Sequence, residues 1–265
     1  MIFSLCYNKA MFPDLFGIEG FTMSVLVVVG VFAACLVTFL YLKKFSLKKN
    51  TYIDLAITVI LTLISGFVFA VLFENLYESI KNAVINRPQH WTWSMTFYGG
   101  IFGGVAAFLL MYKFFFLRNN EPILSKMLVV APGAIALGHA FGRLGCFFNG
   151  CCYGKETDKW YGVLFPGFAH KVIPTQFFEM IFLFILAAVL LVLAFKWNSK
   201  FTLPIYLISY GIFRFFIEFA RGDERGQFGI LSPSQYWSIL LIVSGLIILI
   251  LYIKGLQTKV QTEWN

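Results

Sequence analysis

Apolar residues run through this chain in blocks of about twenty, the length of a helix that crosses a bilayer. Seven blocks can be drawn, at about residues 21–42, 52–77, 97–118, 123–148, 174–195, 201–220 and 234–253. Polar and basic residues collect between them. Lys43, Lys44, Lys48 and Lys49 follow the first block. Cytoplasmic loops carry the excess of lysine and arginine, so this cluster predicts an N-terminus outside and a C-terminus in the cytoplasm. Arg87, Pro88, His90, Trp91 and Trp93 separate the second and third blocks, and the tryptophans suit an interfacial belt. The pattern predicts an all-α integral membrane protein: one bundle of about seven transmembrane helices over residues 1–265, with a small exterior segment at about 149–173.

Composition agrees with that picture. The chain is 59% hydrophobic and 13% charged, against about 25% charged for a soluble domain, and its mean hydropathy is +0.79. The net charge of +8 comes largely from loop lysines, so it points to membrane topology and not to nucleic acid. Residues 1–20 contain Cys6, Pro13, Asp14 and Glu19 and lack a basic start with a cleavage site. No removable signal peptide is expected.

Ionisable groups inside apolar blocks are costly, which makes each a functional candidate. In the sixth block Arg214, Glu218 and Arg221 recur at i, i+4 and i+7, the spacing of one helical face. A carboxylate between two arginines would stay ionised and orient both guanidinium planes, whose fork suits a phosphate. The bland alternative is a self-satisfied ion triad. One glutamate leaves one positive charge over, and Arg143 adds a third arginine on the same side, so the expectation is an anion site for lipid phosphate. Glu179, in the opening turns of the fifth block, reads either as a first-turn charge favoured by the helix dipole or, by a slight preference, as the partner of one of the arginines. Asp54 and Glu74 lie near block ends and read as solvated end charges.

Tyr98 precedes Gly99 and Gly100 at the head of the third block. The glycines suit close helix packing, and the tyrosine hydroxyl could donate a hydrogen bond to a bound headgroup. His139 reads as a satisfied core residue, while His90 and His170 fall in exterior loops. Cys146, Cys151 and Cys152 do not follow the C-x2-C spacing of a zinc pair. Adjacent Cys151 and Cys152 are expected to point apart. A disulfide from Cys146 to Cys151 or Cys152, and plain small-residue packing, stand level and ahead of metal.

The motifs together resemble the prolipoprotein diacylglyceryl transferases. Gly142-Arg-Leu-Gly-Cys-Phe-Phe-Asn-Gly-Cys-Cys-Tyr-Gly154 is similar to the family's signature of Gly-Arg-x-Gly-Asn-Phe-x-Asn-Gly with a closing glycine. Supporting stretches are Phe97-Tyr-Gly-Gly-Ile-Phe-Gly103, Leu164-Phe-Pro-Gly167, Pro174-Thr-Gln-Phe-Phe-Glu179 and Phe213-Arg-Phe-Phe-Ile-Glu-Phe-Ala-Arg221, then Leu231, Ser232 and Gln235. The resemblance implies a seven-span enzyme of the bacterial plasma (inner) membrane. Its reaction is transfer of a diacylglyceryl group from phosphatidylglycerol to the lipobox cysteine of a prolipoprotein, and no cofactor or metal is implied.

The resemblance also implies residue roles. Arg143 binds phosphatidylglycerol, with Asn149, Gly99, Gly100, Gly154 and Glu179 in the binding set. Arg214, Glu218, Arg221 and Tyr98 surround the reacting headgroup, Arg214 being the residue for charge stabilisation. The partners are membrane lipid and the prolipoprotein signal peptide. The chain departs from the family pattern at Cys146 for asparagine, Cys151 for an acid, Tyr98 for histidine, Met23 for tyrosine, Phe67 for arginine and Ile173 for histidine. A branch using another acceptor, or a non-catalytic lipid-binding paralogue, is the alternative that these departures raise.

Overall fold

A computed structural model describes residues 21–84, 88, 91, 96–117, 123–222 and 230–263; for residues 81, 84, 97, 98, 101, 117 and 256–263 it describes backbone alone. Cys6, Pro13, Asp14, Glu19, Arg87, His90, Trp93 and Arg118 lie outside the described residues. The helices are α1 (Phe21–Lys43), α2 (Lys49–Val84), α3 (Phe97–Met111), α4 (Leu124–Phe148), α5 (Thr175–Trp197), α6 (Thr202–Ile217) and α7 (Pro233–Glu263). A π-helical segment, Tyr112–Leu117, continues α3, and a 3-10 turn, Glu218–Ala220, continues α6. Among the described residues six helices are long and apolar enough to cross a membrane, and Phe102–Phe116 is a shorter apolar helix. The protein is an all-helical, multi-pass membrane protein. Phe32 and Phe216 are 68% and 65% exposed, an outward face suited to lipid and not to water.

The described chain forms two compact units. The first holds α2, α3 and the π-helical segment. At 36 residues, α2 is about 54 Å long at 1.5 Å per residue, and it runs well past the expected end near residue 77. That extension overturns the reading of Glu74 as a solvated end charge: with helix on both sides of it, the side chain is buried at 4% exposure. Gly99 faces α2 directly; a Cβ there would lie 3.0 Å from the Ala70 Cα. Ser65 Oγ donates to the Gly103 carbonyl at 3.0 Å, a bond between the two helices that small residues make reachable.

The second unit is built around α4, the most buried of the spans. Gly30 of α1 meets Gly138 of α4, where an added Cβ would sit 2.9 Å from the Gly138 carbonyl oxygen. On its other side α4 presents Ala136 and Ala140 to Leu183, Leu186, Ala187 and Leu190 of α5 and to Tyr210 of α6. Small residues on one helix and large ones on its neighbours let the backbones approach while filling the space between them. Thr202, fully buried at the start of α6, donates to the Val129 carbonyl at 2.8 Å.

Residues 149–174 fold back onto the helix ends through isolated antiparallel bridges pairing Glu156 with Val172, Val163 with Val172, and Gly154 with Arg221. The third bridge ties this segment to the chain leaving α6.

Candidate functional site

The polar centre of the second unit gathers at the C-terminal ends of α4 and α6 and the N-terminal ends of α5 and α7. Arg143 lies one turn after His139 on α4, and its Nε donates to His139 Nε2 at 3.2 Å. The same Nε is 3.1 Å from Glu179 Oε2 on α5. Glu179 is fully buried, accepts a hydrogen bond from Tyr210 Oη at 2.9 Å on its other oxygen, and lies 3.9 Å from His139 Nε2. A carboxylate with no solvent of its own is sustained by such opposite charge and donated hydrogen bonds. Arg214 lies one turn beyond Tyr210 on α6, at i+4 and hence on the same helical face.

Arg214 has its own partner one turn on. Its Nη2 is 2.8 Å from Glu218 Oε2 and donates to Ser234 Oγ at 3.0 Å. Glu218 Oε1 accepts from Ser232 Oγ at 2.9 Å. Ser232, Pro233, Ser234 and Gln235 start α7 with a reciprocal cap: Gln235 N–H donates to Ser232 Oγ at 3.3 Å, and Ser232 N–H donates to Gln235 Oε1 at 3.0 Å. Ser-x-x-Gln with proline at the first helical position is the signature of that capping box. The cap does two jobs, because its hydroxyl also anchors Glu218.

The expectation that Arg214, Glu218 and Arg221 share a helical face holds for the first two alone. The α-helix ends at Ile217, and Arg221 has extended backbone at φ −69 and ψ 142. Arg221 is placed instead by the Gly154 bridge. Gly154 N–H donates to Ile173 O at 2.7 Å, and Lys155 N–H donates to Ala220 O at 2.9 Å. A Cβ on Gly154 would collide with the Ala220 carbonyl oxygen and come within 2.8 Å of Ile173 Cβ. Glycine is required here by close backbone approach. Arg214, Glu218 and Arg221 are all buried.

Arg214 and Gln176 have polar atoms that no described residue satisfies. Arg214 Nη1 is buried without a hydrogen-bond partner, and so are both amide atoms of fully buried Gln176. Gln176 and Glu179 stand at i and i+3 on α5, hence on one face. Buried polar groups are nearly always hydrogen-bonded, and an unmet one in a membrane span is costlier still.

Asn149 follows the last residue of α4, and its N–H caps back to Gly145 O at 3.0 Å. Tyr98, Gly99 and Gly100 belong to the other compact unit; the Tyr98 side chain lies outside what is described, and Gly99 serves the packing of α3 on α2. Sequence reasoning passed over Tyr210, Gln176 and Ser234, and gave His139 no role with Arg143. The signals were present as a tyrosine and an arginine one turn apart on α6, a glutamine one turn before Glu179, and the Ser-Pro-Ser-Gln cap.

The cysteines depart from expectation. Cys146, Cys151 and Cys152 are thiols joined in no disulfide, and their three Sγ atoms lie within 4.8 Å of one another. The adjacent pair does not point apart. Cys152 has φ 67, and that left-handed backbone swings its side chain to the same side as its neighbour's.

Comparison with known proteins places the chain in a family. The family model described as prolipoprotein diacylglyceryl transferase matches residues 13–251. A Clostridium perfringens protein named phosphatidylglycerol–prolipoprotein diacylglyceryl transferase 2 is 33% identical over 245 residues, covering 89% of this chain and 92% of the relative. A Clostridium tetani protein of that name without the numeral is 32% identical over 249 residues, covering 91% and 96%. A Finegoldia magna relative is 33% identical over 246 residues, covering 91% and 94%.

Proposed function

Because this chain belongs to the prolipoprotein diacylglyceryl transferase family, we propose that it transfers a diacylglyceryl group from phosphatidylglycerol to the lipobox cysteine of a prolipoprotein. It is a membrane-embedded transferase. The observation that supports the substrate reading is unmet polarity beside two arginine–carboxylate pairs. Arg143 meets Glu179 and Arg214 meets Glu218, while Arg214 Nη1 and both amide atoms of Gln176 are buried with no hydrogen-bond partner among the described residues. A guanidinium edge left open in a membrane span is costly without a bound anion, and the phosphodiester of phosphatidylglycerol supplies one.

In the reaction the acceptor sulfur forms a bond to the glycerol carbon. The bond from that carbon to the phosphate oxygen breaks, and glycerol phosphate leaves with the electron pair. Sulfur attacks as thiolate, and negative charge grows on the departing phosphate, where fixed cations act most strongly in a water-poor site. Arg143, held by Glu179, binds the headgroup. Arg214, held by Glu218 and Ser234, has Nη1 uncommitted to any described residue, and we assign it to the departing phosphate. Glu218 and Arg221 frame the same headgroup, and Gln176 supplies a neutral donor and acceptor for its glycerol hydroxyls. Asn149 and Gly154 shape the surroundings. Tyr98, Gly99 and Gly100 enter through the family resemblance alone. The lysine block after α1 supports an orientation with this site at the outer face of the bacterial plasma membrane.

Complementation of a strain depleted of its own transferase tests the reading. The wild-type chain should restore lipoprotein lipidation and growth, and Arg143→Ala and Arg214→Ala should not. A wild-type chain that inserts at normal levels and leaves prolipoprotein unmodified would sink this function.

A further inference from the structure

At the C-terminus of α4, Gly150 has φ 64, Gly150 N–H donates to Phe147 O at 3.1 Å, and Cys151 N–H donates to Cys146 O at 3.1 Å. That pair of bonds around a left-handed glycine is the Schellman termination, which brings the side chains before and after the turn into contact. Here those two side chains are Cys146 and Cys151, both buried. Small-residue packing accounts for these two.

It does not account for the third. Cys152 adopts a left-handed conformation that non-glycine residues rarely hold, and its carbonyl is pinned by Thr175 Oγ1 at 2.8 Å. The outcome is three thiols mutually within 4.8 Å. In a tetrahedral thiolate site with zinc–sulfur bonds of about 2.3 Å, sulfur atoms lie about 3.8 Å apart, so small side-chain rotations close the remaining gap. A disulfide would join two sulfurs at about 2 Å and strand the third. Cys152 is partly exposed while the other two are buried, which leaves the cluster open on one side.

We propose that Cys146, Cys151 and Cys152 form a three-thiolate zinc site whose open fourth position takes the sulfur of the acceptor cysteine. The site stands on its own geometry; the identity of the fourth ligand rests on the transferase reading above. Coordination removes the thiol proton to solvent and holds the acceptor as thiolate. That sulfur then bonds to the glycerol carbon, the carbon–oxygen bond breaks, and glycerol phosphate departs with the pair. Zinc changes no oxidation state and no further reactant is needed. Acceptor activation would then sit one helical turn from Arg143, at i and i+3 on α4.

The test uses the full chain purified in mild detergent without chelator and loaded with Zn2+ or Co2+. Stoichiometric zinc and a sulfur-to-cobalt charge-transfer band are expected, with at least a tenfold loss of metal affinity in Cys152→Ser. A lipobox-type peptide carrying cysteine should shift the cobalt ligand-field bands, and its serine counterpart should not. No charge-transfer band, with the Cys146, Cys151 and Cys152 thiols reacting freely or with two of them consumed as a disulfide, would overturn the site. A band indifferent to the cysteine peptide would overturn the open position. The charge-transfer band and its shift by the peptide come from the wild-type protein and need no turnover. Metal binding and a peptide shift in a chain that fails complementation would therefore uphold this inference while removing the transferase reading.

Discussion

The Arg143 guanidinium and the Glu179 carboxylate meet at 3.1 Å across α4 and α5, with the carboxylate fully buried. Removing one partner of a buried pair costs about 3–5 kcal/mol, because the other charge is left uncompensated. Arg143→Ala should therefore lower the unfolding midpoint in detergent as well as abolish activity. Arg143→Ala combined with Glu179→Gln should regain most of the stability and none of the activity. Thermal unfolding beside a lipidation assay reads both, and a double variant no more stable than Arg143→Ala alone would refute the pairing as the cause.

Arg214 separates charge from positioning. Loss of a group that stabilises developing charge costs about 10²–10³ in kcat, and Arg214→Ala is expected in that range. Arg214→Lys keeps the charge and loses the fork that reaches Glu218 and Ser234 together, so it should recover only part of the rate. Ser234→Ala removes one hydrogen bond, worth about 1.5–3 kcal/mol when a charged group is involved. It should have the smallest effect of the three.

Gln176 tests whether unmet polarity marks a ligand. Its amide is fully buried with no partner among the described residues, so exchange for an apolar residue of similar shape should cost the fold little. Gln176→Leu is expected to keep or raise the unfolding midpoint and to raise the KM for phosphatidylglycerol several-fold. Marked destabilisation with an unchanged KM would assign the amide to the fold instead.

Gly154→Ala asks whether backbone approach positions Arg221. The added methyl meets the Ala220 carbonyl oxygen and the side chains of Ile173 and Thr175, none of which is the far end of a flexible chain. Overpacking of this kind costs about 1–3 kcal/mol. Activity should fall at least tenfold, and phosphatidylglycerol affinity should fall with it.

Ser232→Ala breaks two connections at once, the α7 cap and the bond to Glu218. Cap loss alone costs about 1 kcal/mol. Ser232→Asp can still cap but sets a like charge against Glu218, so it should retain more stability than Ser232→Ala while losing more activity. Equal activity in the two variants would mean that Glu218 does not depend on Ser232.

Much of this protein is legible in its sequence wherever local repetition and composition suffice. Runs of apolar residues matching the bilayer thickness specify spanning helices, and the i, i+4 spacing of Arg214 and Glu218 specifies their ion pair. The capping residues before α7 are equally local. The family motifs are legible in the same way, as residue types in order. Which distant groups meet is settled by packing in three dimensions. Glu179 reaches Arg143 and Tyr210 only because α4, α5 and α6 pack through Ala136, Ala140 and Leu183. Arg221 enters the network only because residues 149–174 fold back and pair Gly154 with it, after the helix that would have placed it has ended. The three cysteines converge because two left-handed residues reverse the chain direction, and spacing along a sequence carries no record of such a reversal. Periodicity reports the face a residue occupies within its own element. The partner that face meets is chosen by close packing between elements.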